Sequence, residues 1–251
     1  VMTPTPFGGH NIEAMSYNAG TGLVYIPAMT REWVYVDPPA PLEAWRFKDG
    51  QRISSGTGAA PADLKLNPPG SMLIAWNPKT QREAWRIAMF GPRGGGGTAT
   101  TGGGLVLQGR GTGEFTVLDA KDGRQLWSFA AQTAVMAQPI TYRAGGRQYI
   151  AVVAGSRFPT AQGLPQGEWD YRAQEWRVLA FALGGKDRLP PARAPDRSIP
   201  DLASFRVDPA QAKAGAATYA DYCTGCHGAG ALSGGSAPDL IRSPEPLDIA
   251  V

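Results

Sequence analysis

Two thiols and an imidazole stand together in Cys223-Thr224-Gly225-Cys226-His227, which holds both cysteines of the chain and one of its two histidines. The spacing of the thiols brings both within reach of the vinyl groups on one edge of a haem, and His227, next in sequence, can ligate the iron from the proximal side. A CxxC pair can also act as a redox dithiol, close a disulfide or supply half of a zinc site. Structural zinc needs two more ligands, and the other histidine, His10, lies 217 residues away. Haem attachment is the reading this pattern favours.

The element that must carry these residues is legible just upstream. Asp208 followed by Pro209 is an N-cap with proline at the first helical position, and Ala210 to Tyr222 is alanine-rich without a further proline. A helix is expected there, with Gly215, Tyr219 and Cys223 on one face because they recur every four residues. Before it, prolines at 190, 191, 195 and 200 mark residues 187–207 as an extended linker. The expected organisation is a β-rich domain at 1–186, the linker, and a helical cytochrome portion at 208–251.

Composition agrees with a mainly β fold. The 251 residues include 33 glycines and 22 prolines, which rules out a helical bundle, and 43% are hydrophobic against 18% charged, which suits a filled core. The net charge of +3 is spread without a basic run, so no nucleic-acid partner is expected. The longest apolar stretches, such as Ile150 to Ala154, fall far short of the roughly 18 residues of a membrane-spanning helix.

An internal repeat organises the β-rich part. Ala75 to Trp85 aligns without gaps on Val117 to Trp127, with the tryptophans 42 residues apart, and Tyr17 to Tyr25 is a third partial copy. Each copy reads as a hairpin turn, because Asn and Asp bond their own backbone and glycine accepts positive φ. About 42 residues holding four short strands is the pattern of a propeller blade. One complete blade is expected at Thr98–Thr101, Leu105–Gln108, Glu114–Asp119 and Arg124–Phe129. The blade before it begins near Ile12 and is interrupted by a Pro-rich insertion at about 30–70. The blade after it uses Gln138–Tyr142, Gln148–Ala154 and Arg177–Leu183, with its fourth strand supplied from elsewhere. Three blades cannot close a ring, so a segment of a longer chain is expected.

Trp-ended hairpin repeats followed by a Pro-rich linker and a CxxCH helix resemble the quinohaemoprotein alcohol dehydrogenases that use pyrroloquinoline quinone (PQQ). The stretches that carry the resemblance include Met15 to Asn18, Leu23 to Ala28, Gly94 to Gly97 with Leu105 to Gly109, Leu126 to Phe129, Gln148 to Val152 and Val178 to Phe181. The resemblance implies an eight-bladed quinoprotein propeller, of which three blades are present, joined to a class I cytochrome c. It implies oxidation of an alcohol with PQQ and calcium, and electron transfer to haem c held by Cys223, Cys226 and His227. An external cytochrome, copper protein or quinone would then take the electrons, in the periplasm.

Residue by residue, the resemblance makes Asn11 a quinone contact and gives Trp85 and Trp127 the role of docking neighbouring blades. It gives Gly215 a close helix contact, Tyr219 a place beside the haem, and the Pro238 carbonyl a hydrogen bond to the proximal histidine. The calcium ligands, the catalytic Asp base and the adjacent-cysteine disulfide of the family match no residue here. The chain departs from the family at Ile12, where the family has Trp, and at Ser156-Arg157, where it has a Trp-Gly segment. All six methionines precede the linker, so no distal iron ligand is expected from residues 208–251. The alternative is a non-catalytic propeller platform fused to an electron-carrier cytochrome.

Overall fold

The structure, a computed structural model, is described for residues 1–5, 7–34, 63–67, 70–89, 95–155, 176–192, 198–201, 206–232 and 240–242. Three antiparallel sheets follow one another along the chain. The first runs β1 (Ser16–Asn18), β2 (Leu23–Thr30), β3 (Gly70–Asn77), β4 (Arg82–Met89), and the second β5 (Gly95–Thr100), β6 (Leu105–Arg110), β7 (Glu114–Asp119), β8 (Gln125–Ala130). In the third, β10 (Arg147–Ala154) lies between β9 (Ile140–Ala144) and β11 (Arg177–Ala182). Each sheet is a meander in chain order, the topology of a propeller blade.

Burial shows how the sheets stack. Along β2 every second residue is buried, from Leu23 through Tyr25 to Met29, as in a sheet packed on one face. In the second sheet, β6 and β7 instead carry four consecutive buried residues, Val106 to Gly109 and Phe115 to Leu118. That pattern requires cover on both faces. One core cluster joins Leu23, Tyr25, Leu73 and Ala75 of the first sheet to Val106, Leu118 and Ala120. Another joins Leu107, Phe115 and Val117 to Val152, Ala154 and Leu179 of the third.

The turn chemistry follows the sequence repeat. In all three copies the Asn or Asp side chain accepts a backbone N–H: Asn18 from Thr21, Asn77 from Lys79 and Thr80, and Asp119 from Lys121. Four residues on, each turn has positive φ, at Gly22 (70°), Gln81 (53°) and Gly123 (76°). The two full copies also share a β-bulge at the residue before the tryptophan. Ala75 pairs with Trp85 and Trp76 with Glu83, skipping Ala84, while Val117 pairs with Trp127 and Leu118 with Gln125, skipping Leu126.

The partial copy at Tyr17–Tyr25 is a hairpin turn as read, and it joins β1 to β2, whereas the other two join β3 to β4 and β7 to β8. It is the same turn at a different place in the blade, because an Asx turn closes any hairpin whichever strands it joins. The Trp docking role is observed. Trp85 donates from Nε1 to the Ala120 carbonyl of the next sheet at 3.3 Å and covers Gly123, and Trp127 meets Phe181 of the third sheet edge-on at 5.3 Å.

The helical part differs from the expected single helix. Helix α1 (Pro209–Thr218) gives way to a π-turn at Tyr219–Cys223, and a short helix α2 (Thr224–His227) follows. Asp208 caps α1 as read, its carboxylate accepting from the N–H groups of Ala210 (2.8 Å) and Gln211 (3.2 Å).

Candidate functional site

The CxxCH segment spans the junction between the π-turn and α2. Cys223 closes the π-turn and is partly buried, and Cys226, three residues on within α2, is exposed; neither is in a disulfide. His227 is the last residue of α2, and Gly228, with φ 77°, turns the chain away immediately after it. A positive φ suits glycine, so the imidazole ends the helical run.

Three hydrogen bonds hold this junction, two of them from side chains. The N–H and the hydroxyl of Thr224, between the two cysteines, both donate to the Tyr219 carbonyl, the hydroxyl at 3.0 Å. The phenol of Tyr219 spans nine residues to donate to the Gly228 carbonyl at 2.8 Å. The sequence gives no direct sign of the two side-chain bonds; the nearest signal is the hydroxyl-bearing residue inside the CxxC.

The donor set fits haem attachment: two thiols outside any disulfide, one of them exposed, with an imidazole next in the same helical run. Among the described residues no group of three or more His, Cys, Asp or Glu side chains is placed to hold a metal ion directly. Nothing described approaches Gly215, where a Cβ would meet open space, so its expected close helix contact is not seen among these residues. Pro238 lies outside the described residues.

The second candidate, Asn11, lies in a loop folded along β2. His10 donates from Nδ1 to the Pro27 carbonyl (2.7 Å), the Met29 N–H donates to the Gly9 carbonyl (2.8 Å), and Asn11 donates from Nδ2 to the Phe7 carbonyl (2.8 Å). The Asn11 amide thus ties the loop together locally, and the neighbouring Ile12 is exposed. Beside this loop a small groove is lined by the buried Glu13 with Met29, Ser71 and Gly95. Nearby, the Arg31 guanidinium lies 4.6 Å from the Trp33 ring centre, and its pKa is lowered by burial. Half-buried Glu32 accepts from the backbone and side chain of Asn67, bonds that hold its carboxyl below the usual range. Ser156 and Arg157 lie outside the described residues.

A stack of blade-like sheets with Trp-ended hairpins, followed by a helix that delivers CxxCH, defines a quinoprotein-type propeller chain with a CxxCH motif. Comparison with known proteins shows what the chain is similar to. The family profile described as outer membrane protein assembly factor BamB matches residues 70–158. The chain is 38% identical to quinohemoprotein alcohol dehydrogenase ADH IIB of Pseudomonas putida, over 98% of this chain and 35% of that protein. It is 36% identical to the dehydrogenase subunit of the alcohol dehydrogenase (quinone) of Gluconobacter oxydans, over 97% of this chain and 33% of that protein.

Among solved structures, quinohemoprotein alcohol dehydrogenase ADHIIG from Pseudomonas putida HK5 superposes with a TM-score of 0.71 at 32% identity, covering 97% of this chain and 36% of that one. The chain is a homologue of the quinohaemoprotein alcohol dehydrogenases along nearly its whole length, and it spans about a third of the length of the curated relatives it matches.

Proposed function

We propose that this chain is the part of a quinohaemoprotein alcohol dehydrogenase that contributes blades to the PQQ-binding propeller and carries the attachment segment for haem c. In this reading residues 1–186 are propeller, 187–207 linker and 208–251 the cytochrome portion. Cys223 and Cys226 attach the haem and His227 ligates its iron. The single observation that supports the reading most is the presentation of those three side chains in one helical run, in a chain homologous throughout to enzymes named for both quinone and haem.

When bound, the quinone would accept two electrons and two protons from the alcohol, and the haem would carry the electrons onward one at a time. This chain's residues do the holding. The π-turn and α2 orient the thiols and the imidazole, and Asn11 is the described side chain proposed to contact the quinone, with the groove by Glu13 beside it. The calcium ligands and the catalytic base come from outside the described residues. Partners are an alcohol and an external electron acceptor. No helix among the described residues is long and apolar enough to cross a membrane, and covalent haem attachment in bacteria implies the periplasm. The non-catalytic platform is not favoured, because the relatives reported above are named as dehydrogenases.

The test is covalent haem. Produced with haem-attachment machinery, the chain retains haem through acid extraction, and replacing both Cys223 and Cys226 by Ala abolishes the retention. Covalent haem in the double variant would overturn the assignment.

A further inference from the structure

The bonds around the CxxCH segment do more than end a helix. A π-turn is rare and is often found at functional sites, and here it lies between a capped, exposed helix and the two thiols. Helix α1 has no buried residue, so little tertiary packing supports it, and helices this short are marginal on their own. Among the described residues, two local side-chain bonds lie across the thiol-bearing turn. The Thr224 hydroxyl doubles the bond to the Tyr219 carbonyl, and the Tyr219 phenol reaches across the whole CxxCH segment to the Gly228 carbonyl. The two bonds share Tyr219 and bracket Cys223, Cys226 and His227 between their ends.

We propose that Tyr219 and Thr224 are positioning residues for haem attachment, a role that rests on the haem reading above: they close the CxxCH segment into a preformed turn before haem arrives. In the attachment step each thiol adds across one vinyl group. A sulfur–carbon bond forms as the carbon–carbon double bond becomes single, the thiol proton goes to the other vinyl carbon, and nothing leaves and no electrons are exchanged. Two such additions to one rigid ring need both sulfurs at set positions together, and a turn that must first be ordered has that cost added to its barrier. Each hydroxyl contributes through one net hydrogen bond.

The experiment uses the whole chain with haem-attachment machinery and reads the rate at which acid-resistant haem accumulates. Tyr219→Phe keeps the ring and Thr224→Val the branched shape, and each is expected to slow attachment about two- to tenfold, the worth of one hydrogen bond. Thr224→Ser, which restores the hydroxyl, attaches at close to the wild-type rate. A second readout needs no haem. In the apo chain, alkylation followed by mass spectrometry modifies exposed Cys226 ahead of partly buried Cys223, and the two rates converge in Tyr219→Phe and Thr224→Val.

The propeller's thermal transition, unchanged in all three variants, shows that the loss is local. Wild-type attachment rates and wild-type alkylation order in Tyr219→Phe and Thr224→Val would overturn the positioning role alone. A wild-type chain that never retains haem would overturn the haem reading with it.

Discussion

Tyr25 and Trp85 hold one acceptor between them: both donate to the Ala120 carbonyl, at 2.7 and 3.3 Å, with their ring centres 5.6 Å apart. Both belong to the first sheet and Ala120 to the β7–β8 turn of the second, so this carbonyl fastens one blade to the next. Thr21 completes the set by donating its hydroxyl to the Tyr25 oxygen at 2.9 Å. Tyr25→Phe keeps the ring and removes the stronger donor, and it should lower unfolding stability by about 1 kcal/mol in a urea titration.

The same phenol makes stability depend on alkali. Burial, reinforced by the negative charge of Asp119, raises the Tyr25 pKa above its ordinary 10.0, and the bond from Thr21 only partly offsets this. A group raised in the folded state contributes stability that is fully present below the unfolded value and is lost as pH climbs through the folded one. Urea midpoints measured on either side of pH 10.0 should therefore fall more for the wild type than for Tyr25→Phe. Equal falls would mean that Tyr25 ionises as freely folded as unfolded.

Gln81 and Gly123 occupy the same turn position in the two full repeats, and substitutions there should have opposite signs. Gln81 has φ 53°, a region that costs an L-residue about 1–2 kcal/mol. Gln81→Gly relieves that strain against the greater freedom of glycine in the unfolded chain, a net gain of about 0.5 kcal/mol. Gly123→Ala places a Cβ 2.8 Å from the Trp85 ring at φ 76°, and should cost about 2 kcal/mol or more. Thermal melts of the two variants decide it, and in a Trp85→Ala background the cost of Gly123→Ala should shrink, because the ring its Cβ meets is gone.

Phe181 is the hinge pin of the second interface. Its ring stacks on Phe115 at 5.4 Å and meets Phe129 and Trp127 edge-on at 5.0 and 5.3 Å. Phe181→Ala removes all three contacts and should cost about 3 kcal/mol. In hydrogen exchange the loss should fall first on β9 to β11, the sheet this ring attaches.

Asp208 carries the start of α1 with little help from packing. Asp208→Ala frees the N–H groups of Ala210 and Gln211 and should cost about 1 kcal/mol of local helix stability. Because nothing in α1 is buried, the effect should appear as lost helical circular dichroism with the propeller's melting temperature unchanged.

What could be read from the sequence is what depends on near neighbours. Asn18, Asn77 and Asp119 each make their turn with backbone two or three residues on, so the hairpins and the strands beside them were placed closely. Asp208 caps α1 through its own next residues, and the spacing of Cys223, Cys226 and His227 is what the haem proposal starts from. Tertiary structure decided the rest, because the same local chemistry serves several long-range arrangements. An Asx turn closes an inner or an outer hairpin equally well, so only strand order puts Tyr17–Tyr25 between β1 and β2. The bond that the Asn11 amide nitrogen donates to the Phe7 carbonyl is likewise visible only in the fold. Trp85 finds its acceptor 35 residues on, at Ala120. An α-turn and a π-turn differ by one residue in their hydrogen bonds, and the choice at Tyr219 goes with a hydroxyl between the cysteines and a carbonyl beyond the histidine, partners that meet only once the turn has folded.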